Sequence, residues 1–378
     1  MSIKYSGDYL VHRFSSNWKD AEYNSVGDRL LELRDQGYVY FTDDLSSYFN
    51  VYSTLGEGSH GLVVRGSVFM EGQLPLMAAI KIIKNQPQTK EEIERDAREK
   101  TVSIMPAGNL QEITVLGFIR QKGGHPNLIG LQKAFLTTDL RAGFIAMDYC
   151  ENGTIGDVLC RSISCPFKKN PTERDDVIRT LRACEQLITG LDWLHSNGIV
   201  HGDLTSENVF MDKDYNIRIG DFGGSLHLGE LRYDMDLLCE IQCVNFRSPE
   251  VALGFFGTGR WSFPIDMWSL GLVIWLLFKH TLIFNLKTDD NFKLLRMMVD
   301  VFGPMSRTNW SSMPVILNKS FAKELKEAPA RERLVLPETG DLLANLFIYD
   351  PEKRWTSFKA LDYIKALLFK KSSTKSNE

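Results

Sequence analysis

The chain has 378 residues, a formal net charge of −4, 43% hydrophobic residues and 24% charged residues. That length exceeds what one hydrophobic core usually organises, and the composition is that of a globular protein. A charge this close to neutral provides no global basic field, which argues against nucleic acid or a membrane surface as a partner. Six cysteines (Cys150, Cys160, Cys165, Cys184, Cys239, Cys243) lie scattered without metal-ligand spacing, the usage expected of reduced thiols in an intracellular protein. The opening MSIKYSGDYLVHRFSS has no apolar core of a secretion signal, and neither end carries a lipidation motif. The longest apolar run, 267–278, is too short to span a bilayer and reads as a buried helix.

Residues 1–45 are polar and mixed, with one amphipathic stretch at 26–33. They read as an extension that either packs on the core or stays mobile. Residues 49–84 are rich in Val, Ile, Tyr and Gly and are broken at Gly56, Gly58, Gly61, Gly66 and Gly72, the pattern of strands and tight turns. Residues 89–103 are highly charged and helical in propensity, ending before Pro106 and Gly108. Ile113, Leu116 and Ile119 recur at helical spacing, which predicts a helix over 110–121. Strand character returns over 128–149. From 176 onward the chain turns helical, at 177–196, 266–279, 291–302 and 338–347, and it ends in the polar KKSSTKSNE. Strand-rich then helix-rich sequence predicts an α+β protein with two segregated lobes. The expected boundaries are an extension 1–45, a first lobe 46–150, a second lobe 151–368 and a flexible tail 369–378.

Gly56-Glu57-Gly58-Ser59-His60-Gly61-Leu62-Val63 fits G-x-G-x-x-G-x-V. Glycines are needed where backbone approaches phosphates closely or takes unusual dihedrals. A dinucleotide turn would continue into a helix, whereas Val63 and Val64 continue as strand, which favours a glycine-rich hairpin. Taken alone, an ordinary glycine turn remains the alternative. Ala79-Ile80-Lys81 ends an apolar strand, and a lysine closing a buried strand needs an anionic partner unless it reaches back to water. Glu112 is the chosen helix carboxylate over Glu94 and Glu99, because an unbroken helix carries it toward the next strand.

The decisive stretch is His201-Gly202-Asp203-Leu204-Thr205-Ser206-Glu207-Asn208, followed by Asp221-Phe222-Gly223. Here the sequence resembles the eukaryotic protein kinase family, matching H-R-D-L-x-x-x-N and D-F-G in order and spacing over about 51–368. The resemblance implies a bilobal kinase fold that binds ATP with Mg²⁺. By the same resemblance Asp203 takes the proton of the substrate hydroxyl, Asp221 and Asn208 hold magnesium, and Lys81, fixed by Glu112, holds the α- and β-phosphates. Gly56, Glu57, Gly58, Ser59 and Gly61 then belong to the phosphate loop, and Val63, Ala79 and Phe210 sandwich the purine. Met147 is the implied gatekeeper, with Asp148, Tyr149 and Cys150 as the hinge. Leu116, Leu131, His201 and Phe222 match a hydrophobic spine, for which core packing is also the plain reading. Asn245-Phe246-Arg247-Ser248-Pro249-Glu250-Val251 resembles the Y-R-[AS]-P-E-V run of the group holding cyclin-dependent, MAP and DYRK-type kinases. That group implies serine/threonine specificity, with tyrosine or dual specificity left open. Glu250 is expected to pair with Arg354, and the helix at 266–271 to brace the catalytic loop.

Three departures stand out. Gly202 replaces the catalytic-loop arginine that grips an activation-segment phosphate, and Leu226 stands where another cation often sits, so activity is expected not to depend on that phosphate. The acidic residues Glu230, Asp234, Asp236 and Glu240 read as solvated charges. Thr205 replaces a lysine, and Cys243 replaces the Thr or Ser that would bond it. Losing one preorganised donor costs about 3–4 kcal/mol, against roughly 8 kcal/mol or more that enzymes supply. The expectation is slowed but retained catalysis. An active kinase acting on protein substrates, open to a regulatory protein and placed in cytoplasm or nucleus, is the leading reading. A pseudokinase scaffold is the alternative, and a kinase of small molecules comes third.

Overall fold

The computed structural model describes residues 21–58, 61–70, 72, 74–83, 107–138, 142–160, 165–227, 241–254, 262–310 and 336–373. They divide into two compact units. One runs to Cys150 and takes in Asp221–Ser225; the other holds Glu151–Gly220 and the described residues from Leu226 onward.

The first unit is built on a six-stranded sheet of β1 (Val39–Phe41), β2 (Phe49–Gly58), β3 (Gly61–Val68), β4 (Leu76–Ile83), β5 (Leu131–Leu136) and β6 (Gly143–Met147). The order is β1-β5-β6-β4-β3-β2, and only the β1–β5 pair is parallel. Alternation along the strands sends Val64, Val68, Ala78, Ile80, Phe135, Phe144 and Ala146 into one buried cluster. Phe135 and Phe144 stack there with ring centroids 4.7 Å apart. Among the described residues the unit also holds the helices α1 (Ala21–Asp35) and α2 (Ala107–Gln121).

Of the two alternatives for the expected extension 1–45, its described part takes the packed one. Val39, Tyr40 and Phe41 pair with Ala134, Phe135 and Leu136, and Leu30, Leu33 and Val39 are buried, so this segment is part of the first unit. Residues 89–103 lie outside the described residues.

Gly66 faces Val51 across the β2–β3 pair. A Cβ there would overlap the carbonyl oxygen of Asn50 and lie 2.8 Å from Ile80 Cδ1. Gly66→Ala is therefore expected to destabilise the protein by about 1–3 kcal/mol through overpacking, read as a lowered urea midpoint. An unchanged midpoint would show that the sheet has slack at this point.

The second unit is mainly helical: α3 (Ile155–Cys160), α4 (Arg174–Ser196), α5 (Pro249–Ala252), α6 (Pro264–Lys279), α7 (Asn291–Phe302), α8 (Leu342–Leu346) and α9 (Ser357–Ser373). Short strands β7 (Gly153–Thr154), β9 (Val209–Met211) and β10 (Ile217–Ile219) form one small sheet, and β8 (Ile199–Val200) pairs with β11 (Leu226–His227). Helix α6 is buried on nearly every side, as its unbroken apolar run requires. Trp268 on it meets Phe302 and Phe347 edge-on at 5.4 and 5.3 Å. No helix among the described residues is long and apolar enough to cross a membrane. Helix α9 runs past residue 369, where a flexible tail was expected to begin, to Ser373, and the Arg174 guanidinium donates to the carbonyls of Lys371 and Ser372.

Candidate active site

In the first unit, β2 and β3 form the glycine-rich hairpin, with Glu57 opposite Leu62 and Gly58 opposite Gly61; Gly56 pairs with Val63. Gly61 passes so close to β4 that a Cβ would sit 2.5 Å from the Ile82 carbonyl oxygen. Ser59 and His60 lie outside the described residues. The next registers place Val63 opposite Lys81 and Ala79 opposite Met147. Val63 and Ala79 are half-buried, and Met147 and Cys150 are buried. The Asp148 N–H is already bonded to the Gly130 carbonyl at 3.0 Å, and its carboxylate accepts from the Gly130 N–H at 3.1 Å.

Lys81 Nζ lies 2.6 Å from Glu112 Oε2 and 3.5 Å from Asp221 Oδ1. Lys81 and Glu112 are both buried. Burial disfavours the ammonium, but the Glu112 and Asp221 carboxylates outweigh it and hold the lysine above its ordinary value. Burial pushes Glu112 up to about 7 against the pull of Lys81, with Asp221 adding to the rise. The N-terminal half of α2 also meets the Asp221 segment, where Gln111 Nε2 donates to the Ser225 carbonyl at 3.3 Å. Glu94 and Glu99, the other candidate carboxylates, lie outside the described residues. Leu116, Leu131 and Phe222 are fully buried in this unit.

In the second unit, the loop between β8 and β9 carries Asp203 and Asn208. Asp266 on α6 fixes its start. The backbone N–H groups of His201 and Gly202 donate to the Asp266 carboxylate at 2.7 and 2.9 Å, and His195 Nε2 lies 2.9 Å from it. Gly202 has φ +78°, where a side chain is strained, and its carbonyl accepts the Gln242 N–H at 3.0 Å. The Asp203 carboxylate is held at both oxygens. Oδ1 accepts the backbone N–H of Cys243 at 2.9 Å, and Oδ2 accepts the Asn208 amide at 3.0 Å. Asn208 Nδ2 also donates to the Asp203 carbonyl at 2.8 Å, so the oxygen of that amide is left for another partner. Thr205 is buried, and its hydroxyl accepts the Glu207 N–H at 3.2 Å, which closes the turn. Phe210 is half-buried on β9, opposite Thr154 and Arg218. His201 is fully buried.

Two arginines organise the following segment. Arg354 makes a bidentate pair with Glu250 at 2.7 and 3.0 Å. Arg247 is saturated. Its five N–H bonds go to Asp289 at 2.6 and 2.9 Å, to Asn291 at 2.8 Å and to the Gln242 carbonyl at 3.1 and 2.9 Å. The Arg247 hydrogen bond holds the Asp289 carboxyl below its ordinary value. Gln242 itself is buried with φ +61° and bonds Ser248, Ser269 and Ile265. No sequence signal marked Gln242 or Asp289, since neither lies in a patterned run. Glu230, Asp234, Asp236 and Glu240 lie outside the described residues.

A lysine–glutamate pair beside a D-F-G aspartate lies in one unit, and a helix-braced loop carrying Asp203 and Asn208 lies in the other; these are residue types that phosphoryl transfer uses. The chain belongs to the protein kinase domain family, whose model matches residues 49–364. It is similar to Cyclin-dependent kinase 10 of Homo sapiens, 27% identical over 318 residues, covering 83% of this chain and 78% of that protein. It is also similar to Cyclin-dependent kinase G-2 of Oryza sativa subsp. indica, 26% identical over 327 residues and 83% of this chain. Of that rice protein's length the chain spans only 41%. A third relative, Serine/threonine protein kinase OSK3 of the same rice, is 29% identical over 246 residues, covering 64% of this chain and 40% of the relative. The α+β fold and the leaning toward the cyclin-dependent kinase group, both read from the motifs, agree with these matches.

Proposed function

We propose that the chain is an active protein kinase that transfers the γ-phosphoryl group of ATP to serine or threonine hydroxyls of proteins, without needing a phosphate on its activation segment. The observation that carries this reading is the Asp203 carboxylate, held at both oxygens although Thr205 and Cys243 replace the usual side-chain partners. One of the two donors is a backbone N–H, which any residue but proline supplies at position 243. That favours an active enzyme over a pseudokinase scaffold. Asp203 orients the acceptor hydroxyl and takes its proton. Lys81, charged and kept in place by Glu112, holds the α- and β-phosphates. Gly56, Glu57, Gly58, Ser59 and Gly61 cover the phosphates, and Val63, Ala79, Met147, Asp148, Cys150 and Phe210 hold the adenine.

Asp221 and the free amide oxygen of Asn208 are hard oxygen donors that suit Mg²⁺, and the Asp221 side chain is 34% exposed. When bound, magnesium neutralises charge developing on the phosphoryl oxygens. Independence from phosphorylation is supported by the cations. Gly202 has none, Leu226 is buried, and the five donors of Arg247 are used within the chain. Relatives named as cyclin-dependent keep a regulatory protein among the proposed partners. Cytoplasm or nucleus is the proposed location.

The test is transfer of label from γ-labelled ATP to the chain itself and to a basic protein, wild type beside Asp221→Asn, with phosphoamino-acid analysis. Phosphoserine or phosphothreonine that vanishes in the variant is the expected result, and phosphatase pretreatment should leave the rate unchanged. Label no higher than the variant's, with nucleotide binding intact, would establish the scaffold instead.

A further inference from the structure

Helix α2 carries Glu112, and nearly its whole circumference is buried, from Glu112 through Gly117 and again at Ile119. A helix covered on every side needs a partner on each face. Glu112 meets Lys81 on one side. Gly117, five residues on, points about 140° away around the helix. Against that far side lies α1. A Cβ at Gly117 would overlap Leu33 Cδ1 and sit 2.6 Å from Cδ2 and 3.0 Å from Cγ, so the leucine is seated on bare backbone. One turn further, Gln121 Nε2 donates to Glu32 Oε1 at 3.0 Å and Gln36 Oε1 at 3.1 Å.

The covering segment is itself anchored. The N–H of Tyr38 returns to the Leu33 carbonyl at 2.8 Å and that of Gly37 to Arg34 at 2.9 Å, a helix stop that needs the φ of +74° at Gly37. Lys133 on β5 donates to the Gly37 carbonyl at 2.5 Å, and β1 then pairs in parallel with β5. The chain thus runs from a seat on α2 into the sheet that holds Lys81, with a fixed turn between.

We propose that residues 28–41 are an internal brace that holds α2 with Glu112 on Lys81, with Leu33 as the positioning residue, so that no second protein has to grip this face of the helix. The proposal rests on the kinase reading for its effect on rate, but not for its effect on α2. A displacement of about 1 Å at reacting groups typically costs on the order of a hundredfold in rate, so a device that sets the helix sets the activity.

Four full-length proteins test it: wild type, Gly117→Val, Leu33→Ala and the double variant Leu33→Ala/Gly117→Val, in which the removed leucine atoms make room for the valine. For each, kcat, KM for ATP and hydrogen exchange over 107–121 are read, with exchange over 174–196 as the fold control. Gly117→Val should exchange faster over 107–121 alone and lose about ten- to a hundredfold in kcat/KM for ATP. The double variant should regain most of both. Wild-type exchange and rate in Gly117→Val, or a loss that the double variant does not recover, would overturn the brace. If Gly117→Val does not fold, Leu33→Ala decides in its place, since it only removes atoms: selective loosening of 107–121 supports the brace, and none overturns it. If the wild type transfers no label, the kinase reading fails, and the exchange data still decide the brace by the same criteria.

Discussion

On the proposed kinase reading, replacing Asp203 with alanine is expected to lower kcat for phosphoryl transfer by about 10²–10⁴-fold, the usual contribution of a positioned general base, and to leave KM for ATP little changed. The separation follows from what the carboxylate touches. Its bonds from the Cys243 N–H and the Asn208 amide serve to aim it. Truncation leaves neither donor stranded. Cys243 is exposed and its N–H meets water, and Asn208 keeps its 2.8 Å bond to the Asp203 carbonyl. Alanine is the better probe than asparagine, whose amide nitrogen would face one of these two donors. Steady-state kinetics with a thermal melt check the result. A fall in melting temperature matching the loss of rate would show that Asp203 holds the loop rather than serving the chemistry.

The catalytic loop and the D-F-G segment were legible because several residue types recur there at fixed spacing. The partner of Lys81 was legible only as a choice among three carboxylates; the unbroken helix 107–121 is what brings Glu112 to 2.6 Å. Two features were legible at most in outline. The N-terminal segment showed only an amphipathic stretch at 26–33; its buried residues Leu30, Leu33 and Val39 and its three-residue strand are too few to tell a packed segment from a mobile one. Its seat is a glycine on another helix, and a glycine there reads as a weak point in a helix rather than as a docking site. The second is the donor at position 243. Cys243 looked like a lost hydrogen bond because sequence displays side chains, whereas the bond to Asp203 comes from the backbone. Arg247 behaves similarly: its motif suggested a family position, but its saturation depends on Asp289 and Asn291, 42 and 44 residues further on, together with the nearby Gln242 carbonyl.

The Glu250–Arg354 pair gives the largest expected change in stability. The Arg354 side chain is 0% exposed and that of Glu250 is 9% exposed. Beyond the carboxylate, Arg354 donates to the carbonyls of Pro264, Ile348 and Tyr349, at 2.6, 3.0 and 3.3 Å, and its guanidinium lies 5.3 Å from the Trp268 ring centre. Removing one partner of such a pair costs about 3–5 kcal/mol, because the other charge stays buried and uncompensated. Arg354→Ala should lie at the upper end, since it also removes a donor from three carbonyls; Glu250→Ala should cost less. Arg354→Lys should rescue little, because one ammonium cannot reproduce the planar fork that serves four groups. The double variant Glu250→Ala/Arg354→Ala should lose less than the sum of the single losses, because neither charge is then left alone. For a unit of this size each kcal/mol corresponds to roughly 2–4 °C in melting temperature, so the ranking is resolvable by calorimetry. Strictly additive losses would mean that the two residues stabilise the fold separately, through their packing rather than their charge.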